Sequence, residues 1–351
     1  MQATITKGFV NRALRYAAEL GLIYLNNPKA GCSTIKFSLW AAVDDRTGTK
    51  TFGGNVHSRK AGPFPRDLFA LDPDDLRKFS GASMFSVVRN PFSRILAAYL
   101  DKIPNDPFVW AGFHEGFGLR PKLGKDEFAF GDFLRLIEVA PPELLDGHFR
   151  PQTDNLLEPY AKPDRIFHLE EMRSAEQFLA GFGVALQTHV PHATQSVDRL
   201  PEFFDSECIG LVRKIYARDF KFGYSTDIGN ANLPGFGPSD PERRDCNMDA
   251  VRRWIVAGDA PAHVAPDLPD LRAFVRTQGR NEKHEIVRTA LLRDSNWARL
   301  ARYARFARRR LQENALADAI LEKMTLLRTR YEEAVGTPDI FLPMPGLSRL
   351  G

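Results

Sequence analysis

Residues 27–36 read Asn-Pro-Lys-Ala-Gly-Cys-Ser-Thr-Ile-Lys, a run that gathers a cation, a glycine and two hydroxyls within a short loop. Lys29 supplies a mobile positive charge, Gly31 lets a ligand approach the backbone, and Ser33 and Thr34 can donate to phosphate oxygens. A helix starting here would aim its first N–H groups at the same ligand, and a phosphate suits that geometry. Lys29 comes two residues before the glycine. A Walker loop sets its lysine directly after the second glycine, so the order argues against an ATPase or GTPase.

A second run, residues 87–99, reads Val-Val-Arg-Asn-Pro-Phe-Ser-Arg-Ile-Leu-Ala-Ala-Tyr and puts Arg89 at the end of an apolar stretch. Arginine in that position can grip a phosphate bidentately just before a helix N-terminus. Two histidines are candidates for taking a proton near neutral pH. His57 lies in Gly-Asn-Val-His-Ser (54–58), between the two phosphate runs, and His148 lies in Asp-Gly-His-Phe-Arg-Pro-Gln (146–152). Cys32, at the predicted helix start, sits where a thiol loses its proton more readily, yet no Cys-His-Asn order accompanies it.

These groups need elements to hold them. Leu22–Leu25 is an apolar run between Gly21 and Asn-Asn-Pro and reads as a buried strand, and Ser33 to about Val43 suits a helix with one apolar face. The pattern returns at Met84–Val88, a strand, followed by a helix with Asn90 as N-cap and Pro91 as first residue. Arg165–Leu169 reads as another strand and Glu170–Phe182 as a helix stopped by Gly183. Strands alternating with helices predict an α/β fold with a P-loop-like central parallel β-sheet flanked by helices.

After a predicted helix at Ser206–Phe220 the chain becomes dense in turn formers, so a boundary is expected near residue 228. Three parts follow: a domain over 1–228, an irregular linker with short helices over 229–282, and a basic helical appendage over 283–351. At 351 residues, 43% hydrophobic and 26% charged, the chain is of globular composition and long enough for a large core. A net charge of +4 leans mildly toward anionic partners. Three dispersed cysteines form neither a disulfide framework nor a metal-ligand spacing, and no apolar stretch has signal-peptide or membrane-span length. A cytoplasmic protein is the expectation.

Taken together, residues 28–36 followed by 87–99 resemble the 5′-phosphosulfate and 3′-phosphate motifs of the carbohydrate sulfotransferases, the sulfotransferase family 2 type that uses 3′-phosphoadenosine 5′-phosphosulfate (PAPS). Asp146–Gln152 is similar to that family's His-aromatic-x-Pro-Gln segment, and Ile215–Phe220 resembles its closing Tyr-x-x-Asp-Phe helix. The resemblance covers about residues 20–225. It implies metal-independent transfer of a sulfuryl group to a hydroxyl of a glycan or other acceptor. By matching position, Lys29 serves the bridging oxygen. The loop Ala30, Gly31, Cys32, Ser33 and Thr34 holds the 5′-phosphate, and Arg89 with Ser93 holds the 3′-phosphate. His57 falls where related enzymes keep a base, with His148 next in rank. One departure stands out: the family usually has a serine eight residues after the arginine, and here it is Ala97. The alternative is a catalytically degenerate relative that binds polyanions.

Residues 288–310 contain eight arginines and one acidic residue. Arg299, Arg302, Arg305 and Arg308 are expected to line one helix face, with Trp297, Leu300, Tyr303, Ala304 and Leu311 available for burial. Such a stripe fits an acidic polysaccharide or a membrane surface. Nucleic acid is the weaker partner, because no recognition motif accompanies the arginines.

Overall fold

A computed structural model describes residues 7–51, 56, 62–119, 128–141, 145–158, 161, 163–187, 195–233, 296–308, 314–336 and 341. Along the chain run α1 (Lys7–Ala13), β1 (Leu14–Ala17), β2 (Leu22–Leu25), α2 (Cys32–Thr47), α3 (Pro73–Gly81), β3 (Ser83–Val88) and α4 (Pro91–Asn105). Then come α5 (Pro107–Phe117), α6 (Phe130–Val139), α7 (Gln152–Asn155), β4 (Arg165–His168), α8 (Arg173–Ala180), α9 (Leu200–Phe203) and α10 (Ser206–Ile215). Past the undescribed stretch 234–295 lie α11 (Trp297–Phe306) and α12 (Asn314–Val335). The fold is α/β, as the alternating pattern predicts. Among the described residues no helix is long and apolar enough to cross a membrane.

The sheet order is β1-β2-β3-β4. β2, β3 and β4 are parallel, while β1 is antiparallel to β2 and adds a strand the sequence reading did not contain. Alternation sends Ile23, Leu25, Met84 and Val88 to one face with Val10 and Phe79, and Leu22, Tyr24, Phe85 and Val87 to the other with Ile35 and Leu39 of α2. Both faces are therefore buried. The parallel register sets Leu25 beside Ser86 and Val88 beside His168, so the segments leaving β2, β3 and β4 emerge at one edge of the sheet. Open α/β sheets bind ligands at that edge.

Two predicted helices come out shorter than expected. α8 begins at Arg173, because Glu170 is taken up by a hydrogen bond from the Asn90 backbone. α10 ends at Ile215 and gives way to a short 3-10 turn at Asp219–Phe222, which frees Asp219 to accept two backbone hydrogen bonds elsewhere.

The chain divides into two compact units, one of residues 2–100 and 147–265, which holds the sheet, and one that gathers 101–146 with 266–351. Composition alone set a boundary near 228. The pairing of 101–146 with the carboxy-terminal helices is a long-range contact that composition does not carry. Most of the linker expected over 229–282 lies outside the described residues.

In the helical unit, Trp297, Leu300, Tyr303 and Ala304 of α11, with Ala307 just past its end, are buried in one cluster with Ala317, Ile320, Leu321 and Met324 of α12. Leu311 lies outside the described residues. The arginines at 299, 302, 305 and 308 do not share one face. Arg302 and Arg305 are exposed, and Arg299 and Arg308 are half-buried. Residues three apart drift by about 60° per step around a helix, so four of them wind halfway round it.

Candidate active site

Between β2 and α2 the backbone turns twice through the left-handed region, at Lys29 (φ 66°) and at Gly31 (φ 72°). The torsion favours glycine at Gly31, and a Cβ added there would sit 3.0 Å from the Leu169 Cδ1 methyl, which would have to give way. Gly31 is the N-cap of α2, and no side chain caps the helix. The 16-residue helix therefore begins without a side-chain cap, and its positive dipole end draws an anion. Ser33 and Thr34 sit half-buried in its first turn, and Ala30 is fully buried. Cys32 belongs to the apolar cluster with Tyr24 and Ile35, so what it can offer an anion is its backbone N–H.

Two successive carbonyls of this loop accept from arginines of the neighbouring segment. Pro28 O accepts from Arg94 Nε at 3.0 Å and Lys29 O from Arg89 Nη1 at 3.2 Å. A non-glycine residue in the left-handed region costs about 1–2 kcal/mol, and these bonds help hold Lys29 there.

Arg89 leaves β3 with its main chain pinned by one side chain. Gln152 Oε1 accepts from Arg89 N at 2.9 Å, and Gln152 Nε2 donates to Arg89 O at 2.8 Å. Asn27 Nδ2 donates to the same Oε1 at 2.8 Å and to Val87 O at 2.9 Å. The guanidinium of Arg89 donates to Ser93 Oγ (3.0 Å), Lys29 O (3.2 Å) and Ser196 Oγ (2.8 Å). All three acceptors are neutral oxygens, and two of the five N–H groups remain for a ligand among the described residues. Burial pulls the Arg89 pKa down, against which the Glu170 carboxylate acts. Glu170 itself accepts from Asn90 N at 2.9 Å and from the Tyr224 hydroxyl at 2.7 Å.

Helix α4 differs from α2 in being capped, since Asn90 Oδ1 accepts from Phe92 N at 3.0 Å. An anion at this second site thus meets the guanidinium rather than an uncapped helix start. The Ser93 hydroxyl is fully buried, accepting from Arg89 and donating to Asn90 O at 3.2 Å, so it braces the arginine. Ala97 is buried in α4 and brings no donor.

His148 is half-buried on the turn Gly147–Phe149. That turn lies against the first loop: a Cβ on Gly147 would be 3.6 Å from Pro28 Cγ. Arg94 donates to Gly147 O at 3.1 Å and to Arg150 O at 2.9 Å. The segments quoted for the family resemblance also hold one another. Tyr216 donates from its hydroxyl to Phe149 O at 2.6 Å, and Asp219 accepts from Gln152 N at 2.8 Å and Thr153 N at 3.0 Å. Burial raises the pKa of both Tyr216 and Asp219. His57 lies outside the described residues.

The structure thus gathers Lys29, the 30–34 loop, Arg89, Ser93 and the turn bearing His148 at one sheet edge. Sequence reasoning gave no separate role to Asn27, Arg94, Gln152 or Glu170. Arg94 was the most findable of these, as a second arginine on the turn after Arg89. A sulfotransferase family profile matches residues 12–225 of the chain. No curated protein and no solved structure matches it.

Proposed function

This chain belongs to the sulfotransferase family, and from that membership we propose that it transfers a sulfuryl group from PAPS to a hydroxyl of a glycan or other acceptor. One observation carries the reading. Two anion-binding groups, the uncapped start of α2 and the Arg89 guanidinium, follow neighbouring parallel strands and are joined by the bond from Arg89 to Lys29 O. Two adjacent anion sites are what a nucleotide with phosphate at both its 5′ and 3′ positions requires.

When bound, the donor supplies the electrophilic sulfuryl group and departs with its 5′-phosphate. The chain's residues do the rest. Backbone N–H groups of residues 31–34 and the hydroxyls of Ser33 and Thr34 hold the 5′-phosphate, and the Lys29 ammonium offsets charge at the bridging oxygen. The two remaining N–H groups of Arg89 hold the 3′-phosphate. Ala97 offers nothing there. The Ser196 hydroxyl accepts from Arg89 and keeps its own proton to donate, so it can take over the missing contact. A histidine receives the acceptor's proton, and His57 and His148 are the two candidates.

A second reading, a catalytically silent polyanion-binding relative, is favoured by Ala97 and by the exposed pair Arg302 and Arg305. Calorimetric titration with 3′-phosphoadenosine 5′-phosphate separates the two. The enzyme reading expects binding of about micromolar Kd, lost in Lys29→Ala and in Arg89→Ala. A wild type that does not bind the nucleotide sinks it. Once an acceptor is found, activity of His57→Ala against His148→Ala identifies the base.

A further inference from the structure

Arg94 lies in the first turn of α4 and is 1% exposed. Its guanidinium directs Nε to Pro28 O, Nη2 to Gly147 O and Nη1 to Arg150 O, at 3.0, 3.1 and 2.9 Å. These three carbonyls belong to two chain segments, the loop with the uncapped helix start and the turn with His148. A guanidinium is planar and rigid, so one fork fixes the position of the turn relative to the loop. A second tie runs in parallel, since Asn155 Nδ2 donates to Gly147 O at 2.8 Å and approaches Asn27 Oδ1 at 3.5 Å.

We propose that Arg94 is a positioning residue that transmits ordering from the anion loop to the His148 turn, so that filling the loop holds the turn still. The proposal rests on reading residues 28–34 as the donor loop. Two segments bonded to one rigid group lose freedom together, and a ligand that orders the first lowers the cost of ordering the second. Lysine at this position has a single ammonium and cannot hold three carbonyls in one plane.

Amide hydrogen exchange on the full chain tests the proposal, with 3′-phosphoadenosine 5′-phosphate as the probe. In the wild type the probe is expected to slow exchange in peptides covering 28–35 and, by about tenfold, in those covering 147–155. At saturating probe, so that a change in affinity does not enter the comparison, Arg94→Lys is expected to keep protection at 28–35 and to lose it at 147–155. A purely structural role would not separate these two responses. Wild-type protection confined to 28–35, or protection at 147–155 that survives Arg94→Lys, overturns the proposal. The wild-type comparison needs no variant, so a misfolded Arg94→Lys does not shelter it. If the wild type binds no probe, the donor reading fails instead, and exchange without probe then decides. Arg94→Lys must speed 28–35 and 147–155 together, and a response in one segment alone overturns the proposal.

Discussion

Arg89 Nη2 meets Ser196 Oγ at 2.8 Å across 107 residues of sequence. The same guanidinium is braced by Ser93 on its other side, while Ala97, one helical turn further on, brings no hydroxyl. A nucleotide-binding role for Ser196 then has a measurable size. Ser196→Ala is expected to weaken binding of 3′-phosphoadenosine 5′-phosphate about tenfold or more, the weight of one hydrogen bond to a charged group. Equal calorimetric Kd values for the variant and the wild type would remove Ser196 from the site.

Gly31→Ala tests the loop itself. The substituted residue would have to keep a φ of 72° with a methyl 3.0 Å from Leu169 Cδ1. The torsion alone costs about 1–2 kcal/mol, so thermal unfolding is expected to begin a few degrees lower, about 2–4 °C per kcal/mol. Anion affinity should fall as well, because the first amides of α2 are re-aimed. An unchanged melting temperature together with an unchanged nucleotide Kd contradicts the loop geometry.

Asp219 accepts two buried backbone N–H groups at the start of α7. Asp219→Ala leaves both without a partner in the core, and each unsatisfied donor costs about 1–3 kcal/mol. Urea unfolding should report a loss of at least about 2 kcal/mol. Asp219→Asn keeps one acceptor oxygen and should recover part of that loss. If the alanine variant unfolds at the wild-type midpoint, Asp219 is no brace.

Asp106 makes a pH prediction. It caps α5 through Phe108 N (3.2 Å) and Val109 N (3.1 Å) and accepts from Lys102 Nζ at 2.9 Å. Burial alone would raise its pKa, but the Val109 amide and the Lys102 ammonium bring it below the ordinary carboxylate value. A depressed folded pKa stabilises above the unfolded value of about 3.9, and that stabilisation is lost as pH falls through the folded value. Asp106→Asn should therefore cost up to about 1 kcal/mol at neutral pH, and the gap should close in acid. Urea midpoints taken from pH 7 down to pH 3 check this, and a gap that widens in acid reverses the sign.

Much of the sheet was legible in sequence because its signals are local. Leu22–Leu25 is bounded by Gly21 and the Asn-Asn-Pro turn, and it forms a strand over those same residues. The strand Leu14–Ala17 was not, since its helix-favouring neighbours hide it and only pairing with β2 makes it extended. The phosphate loop and Arg89 were legible for the same local reason. The partners of Arg94 lie 66, 56 and 53 residues away, and no spacing rule reaches that far.

The clasp that Gln152 forms on Arg89 N and O has a consequence for what substitutions position 152 can accept. Its carboxamide mimics one residue of an added strand, with donor and acceptor in a single plane. Glutamate has the length but lacks the donor, and asparagine has both groups on a stem one methylene too short. Asn27 leans on the same oxygen, so a poor substitute disturbs two strand ends at once. In a saturation library scored for folding, this residue should behave like an invariant letter even though its mapped bonds are to the chain itself.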